Sequence, residues 1–167
     1  MFEIWKELSS NRKSLFLLGL SEKILSNLQH SKNFNIANLA IEKCWNWIDS
    51  KQGSGDDLYF MLENLEDTGL LTIMQMEPEE DLPTWICIAE TLSLISLYVY
   101  NYNNDPYLPE TIEAVDEEEI FEDYLSNFGN AYNEDKKIEN DYLNYLVNAS
   151  EKDLNRIEIM KYLESSF

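Results

Sequence analysis

"PTWICIAETLSLISLYVYNY", residues 83–102, is the stretch on which the fold turns. Apolar residues fall on nearly every side of a 3.6-residue helix drawn through it, and only Glu90 and a few hydroxyls interrupt them. A helix that is apolar all round must be covered all round, so the stretch predicts a central helix surrounded by others. Its apolar part, residues 85–100, falls short of the roughly 20 apolar residues of a bilayer span, which points away from a membrane.

Helical spacing continues on both sides of that segment. Leu17, Leu20, Ile24 and Leu28 step by three and four, as do Ala37, Ala40, Ile41, Cys44, Trp45 and Ile48. "GSGDDLYFMLENLEDTG" (residues 53–69) supplies a helix start at Asp56 or Asp57 and a stop at Gly69, with Leu58, Met61, Leu62 and Leu65 between them. Ile120, Tyr124, Leu125 and Phe128 mark a further helix that Gly129 or Asn130 would end, and Ile138, Tyr142, Tyr145 and Leu146 the next. Ser150 with Asp153 resembles a shortened capping box before Leu154, Ile157, Met160 and Leu163. "LLTIMQM" (residues 70–76) has the composition of a strand but no second strand to pair with. The expectation is an all-α protein, a single helical domain over residues 1–167, built as a bundle of six to eight helices around a central apolar helix at about 83–102. Pro-containing loops at 77–83 and 103–109 separate helices within it. A chain of 167 residues buries about two-thirds of its unfolded surface. With 44% hydrophobic residues and only five glycines and four prolines, long helices are favoured over turn-rich strands.

Charge is distributed unevenly. The net charge is −20, yet residues 1–51 hold 5 acids and 7 bases, and residues 136–167 hold 6 acids and 5 bases. Residues 52–135 contain 21 Asp or Glu and no Lys, Arg or His, so the middle half of the chain carries the whole imbalance. Such a surface repels nucleic acid and anionic lipid and attracts cationic partners.

Catalytic chemistry finds little to work with. His30 is the only histidine, in a polar stretch where a solvated or helix-capping role outweighs that of a base. Cys44 and Cys87 sit in apolar runs and read as two reduced core thiols; they match no zinc spacing with a lone histidine. "GSG" at 53–55 lacks the later glycines and lysine of a phosphate loop, and "VDEEEIFED" lacks the alternating ligands and central glycine of a calcium loop. No cofactor and no metal ligand set is expected. The N-terminal apolar run "SLFLLGL" is too short for a signal peptide and has Glu3 and Glu7 upstream, so a cytoplasmic protein is expected.

Attention therefore falls on "TIEAVDEEEIFEDY" (residues 111–124), with seven carboxylates in fourteen residues. Acids in a first helical turn are favoured by the macrodipole, which accounts for two or three of Asp116, Glu117, Glu118 and Glu119. It does not account for Glu122 and Asp123, nor for Glu79, Glu80 and Asp81 before the central helix. With Ile120, Phe121, Tyr124, Leu125 and Phe128 turned inward, Glu119, Glu122 and Asp123 share the outward face at spacings of three and four. Like charges there cost about 0.2–0.5 kcal/mol per pair. These acids, together with Tyr102 and Tyr107 in the neighbouring loop, are the candidate partner-binding residues. Carboxylates steer a cationic partner, and tyrosines supply area for contact.

Three stretches carry a resemblance: "AIEKCWNWID" (residues 40–49), "LPTWICIAETLSLISLYVY" (82–100) and "LPETIEAVDEEEI" (108–120). They are similar to the sixth numbered family of bacterial polymorphic-toxin immunity proteins, over about residues 15–135. The resemblance implies an all-helical, non-enzymatic inhibitor that neutralises a cognate secreted toxin, often a nuclease. Trp45, Trp47 and Trp85 fit its pattern, and their spacing is also that of core tryptophans. Joined to the charge pattern, it leads to stoichiometric inhibition of a basic effector through an acidic surface. The alternatives are an acidic nucleic-acid mimic or adaptor that occupies a host DNA-binding protein, and a metal-dependent hydrolase using clustered carboxylates.

Overall fold

The computed structural model describes residues 1–132 and 138–166. Ten α-helices occur among them, with no strand: α1 (Phe2–Glu7), α2 (Ser10–Ile24), α3 (Phe34–Ser50), α4 (Gly55–Leu62), α5 (Leu70–Ile73), α6 (Leu82–Tyr102), α7 (Glu110–Glu113), α8 (Glu117–Ala131), α9 (Ile138–Asn148) and α10 (Arg156–Ser166). Seven of these run to eight residues or more, within the six to eight expected; α1, α5 and α7 are shorter pieces. The protein is all-α, as the periodicity predicts.

The apolar stretch forms α6, which packs against α2, α3, α4 and α8. Pro83 lies in its first turn, where the missing N–H breaks no helical hydrogen bond. By length and composition Glu79–Tyr102 meets the requirement for crossing a membrane, contrary to the expectation from the shorter run; in this fold 67% of its most apolar window is buried. Its hydroxyls do not go unpartnered there. Thr91, Ser93 and Ser96 donate to the carbonyls of Cys87, Ala89 and Leu92 four residues earlier, at 2.6–2.8 Å. A polar knot then fixes three helices: Ser21 Oγ lies 2.9 Å from both Thr91 Oγ1 and Tyr124 Oη, and Tyr124 donates to the Leu17 carbonyl at 2.9 Å. Desolvation makes such bonds costly to lose, so they set the registers of α2, α6 and α8.

The outer helices are tied on by aromatic stacking and by two arginines. Trp5 of α1 stacks on Phe121 of α8 at 4.6 Å between centroids. Arg12 donates to the carbonyls of Leu146, Val147 and Ala149, satisfying the open end of α9. Arg156, the first residue of α10, holds Glu22 of α2 and Glu42 of α3 together. Trp45, Trp47 and Trp85 are buried, as are both cysteine thiols; desolvation pushes Cys44 up to about 12.

Two local expectations need correction. Helix α4 starts at Gly55 behind a Ser54–Asp57 capping box but stops at Leu62, not Gly69, because Asn64 Oδ1 accepts from the backbone of Glu66 and Thr68 and closes a turn. Leu65, read as inward, is consequently fully exposed. Ser150 with Asp153 precedes only a 3₁₀ turn, and α10 begins later with the Asn155 side chain accepting from Glu158 N, which leaves Ile157 exposed. Residues 70–76, strand-like in composition but with no second strand to pair with, are helical, α5 and a 3₁₀ turn, placing Leu70 and Ile73 in the core.

Candidate partner-binding surface

Helix α8 presents acids because its sequence alternates apolar and charged residues at helical spacing. Phe121, Tyr124 and Phe128 are buried, and Glu118, Glu119, Glu122 and Asp123 are exposed. Asp116 is the N-cap: its Oδ1 accepts from the backbone N–H of Glu118 at 2.9 Å and of Glu119 at 3.0 Å. It is thereby engaged in starting the helix. Glu117 is engaged as well, accepting from the Lys13 ammonium at 2.5 Å and from the Tyr98 hydroxyl at 2.6 Å. Glu118 lies 3.9 Å from Lys6 Nζ, with both side chains about half exposed. That leaves Glu119, Glu122 and Asp123, none of which is in an ion pair among the described residues.

The second acidic group lies before α6. Helix α8 runs antiparallel to α6: Tyr98 meets Glu117 at one end, and the Cys87 thiol lies 3.8 Å from the Tyr124 carbonyl nearer the other. Glu79, Glu80 and Asp81 precede α6, so at 1.5 Å per residue about 24 Å of helix separates them from the level of Glu117, but only about 8 Å from the level of Tyr124. Glu79 and Glu80 are exposed. Asp81, expected on the surface, is not: it is buried, its carboxylate 2.8 Å from His30 Nε2. His30 was expected to be solvated or to cap a helix end; its ring is largely exposed and serves to pair this inward-turned acid. Glu77 is likewise engaged, by Ser31 and Asn33.

The tyrosines fall at the Glu117 end. Tyr102 is 57% exposed and meets Trp47 edge-on at 5.9 Å. A cleft of about 430 Å³ lies beside it, bounded by Tyr98, Lys51 and Glu117. Tyr107 is 83% exposed in the loop after α6.

Glu90, read from the sequence only as an interruption of the apolar stretch, has an environment that reading did not foresee. Glu90 is partly buried, with Oε2 out of contact with solvent and with no hydrogen-bond partner. Burial, and then the charge of Asp123, push its carboxyl up to about 8. Its position as the one carboxylate within the apolar stretch was the available signal. No three of the described His, Cys, Asp or Glu residues converge as a metal would require.

The model of the family described as Immunity protein Imm6 matches residues 12–131. That stretch spans α2 to α8 and includes the outward acids of α8. No curated protein and no solved structure matches the chain.

Proposed function

This chain is a member of the Imm6 immunity protein family, and we propose that it is a non-enzymatic inhibitor that binds a cognate secreted toxin one-to-one in the cytoplasm. The toxin is a basic effector, a nuclease by this reading, whose phosphate-binding Lys and Arg are drawn to the outward face of α8. The observation that carries this is the unpaired trio Glu119, Glu122 and Asp123, within 84 residues that contain no Lys, Arg or His. A carboxylate already bonded to an internal cation adds little field, so the trio does the steering, with Glu118, held 3.9 Å from Lys6 at the surface, adding less, while Asp116, Glu117 and Asp81 hold the fold. Tyr102, which shares a cleft with Glu117, and the exposed Tyr107 supply contact area on this reading. Nucleic acid and membrane surfaces are not partners on this reading, because both are anionic.

The test is co-expression with the toxin encoded beside this chain, followed by binding kinetics against salt. Rescue from toxicity is expected, with submicromolar 1:1 binding and an on-rate that falls steeply between low and physiological salt. Changing Glu118, Glu119 and Glu122 to Gln and Asp123 to Asn is expected to lower that on-rate by about tenfold or more. An unaltered on-rate in that variant refutes the face; absence of rescue and of binding refutes the function.

A further inference from the structure

A groove of about 560 Å³ lies where α1 meets the end of α9. Ile4 and Leu8 of α1 and Val147 of α9 give it apolar walls, and Val147 is 43% exposed. Three exposed carboxylates, Glu3, Glu7 and Glu151, surround the opening. The cation on its wall, Arg12, is committed: it donates to the carbonyls of Leu146, Val147 and Ala149 and to Glu151 at 2.9 Å. Among the described residues, neither Glu3 nor Glu7 is in an ion pair.

The groove therefore offers what the α8 ridge lacks. The ridge presents solvated charge, which accelerates encounter but contributes little to holding a partner. Lasting complexes depend on a side chain desolvated in a pocket with satisfied charges at its rim. Aliphatic walls beside two uncompensated carboxylates, Glu3 and Glu7, suit an aliphatic side chain flanked by Lys or Arg. All the groove residues except Arg12 lie outside residues 12–131, the stretch matched to the family.

We propose that this groove is the anchor site for the toxin, receiving an aliphatic side chain borne between basic residues and so setting the lifetime of the complex. The proposal rests on the reading of the chain as inhibitor of a basic toxin, and it divides labour: α8 governs the on-rate, the groove the off-rate.

Surface plasmon resonance of the full chain against a catalytically inactivated form of the neighbouring toxin tests it, with Val147→Ser, Ile4→Ser and Glu7→Lys as variants. Each is checked for helix content by circular dichroism; Val147→Ser, at an exposed position, keeps the test decisive should Ile4→Ser unfold. The off-rate is expected to rise about tenfold in Val147→Ser and Ile4→Ser, with the on-rate within about twofold of wild type. Unchanged off-rates in Val147→Ser and Glu7→Lys, with wild-type binding intact, overturn the groove and leave the inhibitor reading standing. Wild-type chain that does not bind the toxin overturns both. A dimer of this chain that Val147→Ser dissociates, with no change in toxin off-rate, also overturns the proposal, since a second copy then occupies the groove.

Discussion

Lys13 of α2 delivers its ammonium to within 2.5 Å of Glu117 Oε2, at the first residue of the acidic helix, while Tyr98 donates to the other oxygen. A cation from the N-terminal part of the chain thus neutralises one acid of the cation-free middle. Glu117→Gln keeps an acceptor for Tyr98 and removes a charge that is already balanced, so toxin on-rate is expected to stay within about twofold of wild type. Lys13→Met leaves Glu117 half-buried without its cation and is expected to cost about 1.5–3 kcal/mol, the worth of a charged hydrogen bond. Stopped-flow binding checks the first outcome and urea unfolding the second. A fall in on-rate with Glu117→Gln equal to that from Glu122→Gln would show that Glu117 steers like the open acids.

Glu90 gives the fold a pH dependence. In the unfolded chain its carboxyl titrates near 4.5, and in the folded protein burial and the Asp123 charge raise it to about 8. Between those values the unfolded chain has released a proton that the folded protein retains. Stability from this group therefore falls as pH rises from about 4.5 to about 8, and is level above that. Glu90→Gln keeps the shape without the titration. It is expected to raise the thermal midpoint by several degrees at pH 8 and to change it little at pH 4.5. Matching pH profiles for variant and wild type would refute the assignment.

Central helix α6 and the outward face of α8 were legible in the sequence, and the links between helices were not. Hydrophobic period identifies which side of one helix is wet, so Glu119, Glu122 and Asp123 could be grouped from Ile120, Phe121 and Tyr124 alone. It cannot show which distant side chain arrives at a given acid. Lys13 and Glu117 are 104 residues apart, and His30 and Asp81 are 51 apart. That is why Asp81 looked like its exposed neighbours Glu79 and Glu80. Composition treats the three alike; only the packing of the residue 30–33 loop against the start of α6 separates them. The groove is assembled from α1, Arg12 and the far end of α9, and no local pattern announces it.

Arg156 binds Glu42 by two parallel bonds of 2.6 and 2.7 Å and Glu22 by bonds of 2.8–3.2 Å, so one guanidinium joins α10 to α2 and α3. Trp45 donates to the same Glu22. Breaking a fully buried pair costs about 3–5 kcal/mol. With the arginine side chain 32% exposed, solvent screening brings the expectation for Arg156→Met to about 2 kcal/mol. A chain of this size then melts about 4–8 °C lower. The acid limb should change too. The Arg156 hydrogen bonds hold Glu42 below its ordinary 4.5; its stabilisation is present above pH 4.5 and lost as pH falls through the lowered value. Wild-type stability should decline more steeply below pH 4.5 than that of Arg156→Met, a difference measurable by denaturant midpoints at pH 3–5.

Self-repulsion along α8 predicts the response to salt. Glu122 stands four residues from Glu118 and three from Glu119, and Asp123 four from Glu119, so three like-charge pairs cost on the order of 1 kcal/mol together. Raising ionic strength from 0.01 M to 0.1 M shortens the screening length from about 30 Å to about 10 Å. It weakens attractive surface pairs such as Lys6–Glu118 as well, but 32 acids face only 12 Lys or Arg, so relief of repulsion prevails. The thermal midpoint is expected to rise by a few degrees over that range. Glu122→Lys converts two repulsive pairs into attractive ones, and is expected to raise the low-salt midpoint and shrink the salt response. A midpoint that stays flat or falls with salt would mean that these carboxylates are too well hydrated, or too dispersed, to repel one another, and the same weakness would then undercut their power to steer a basic toxin.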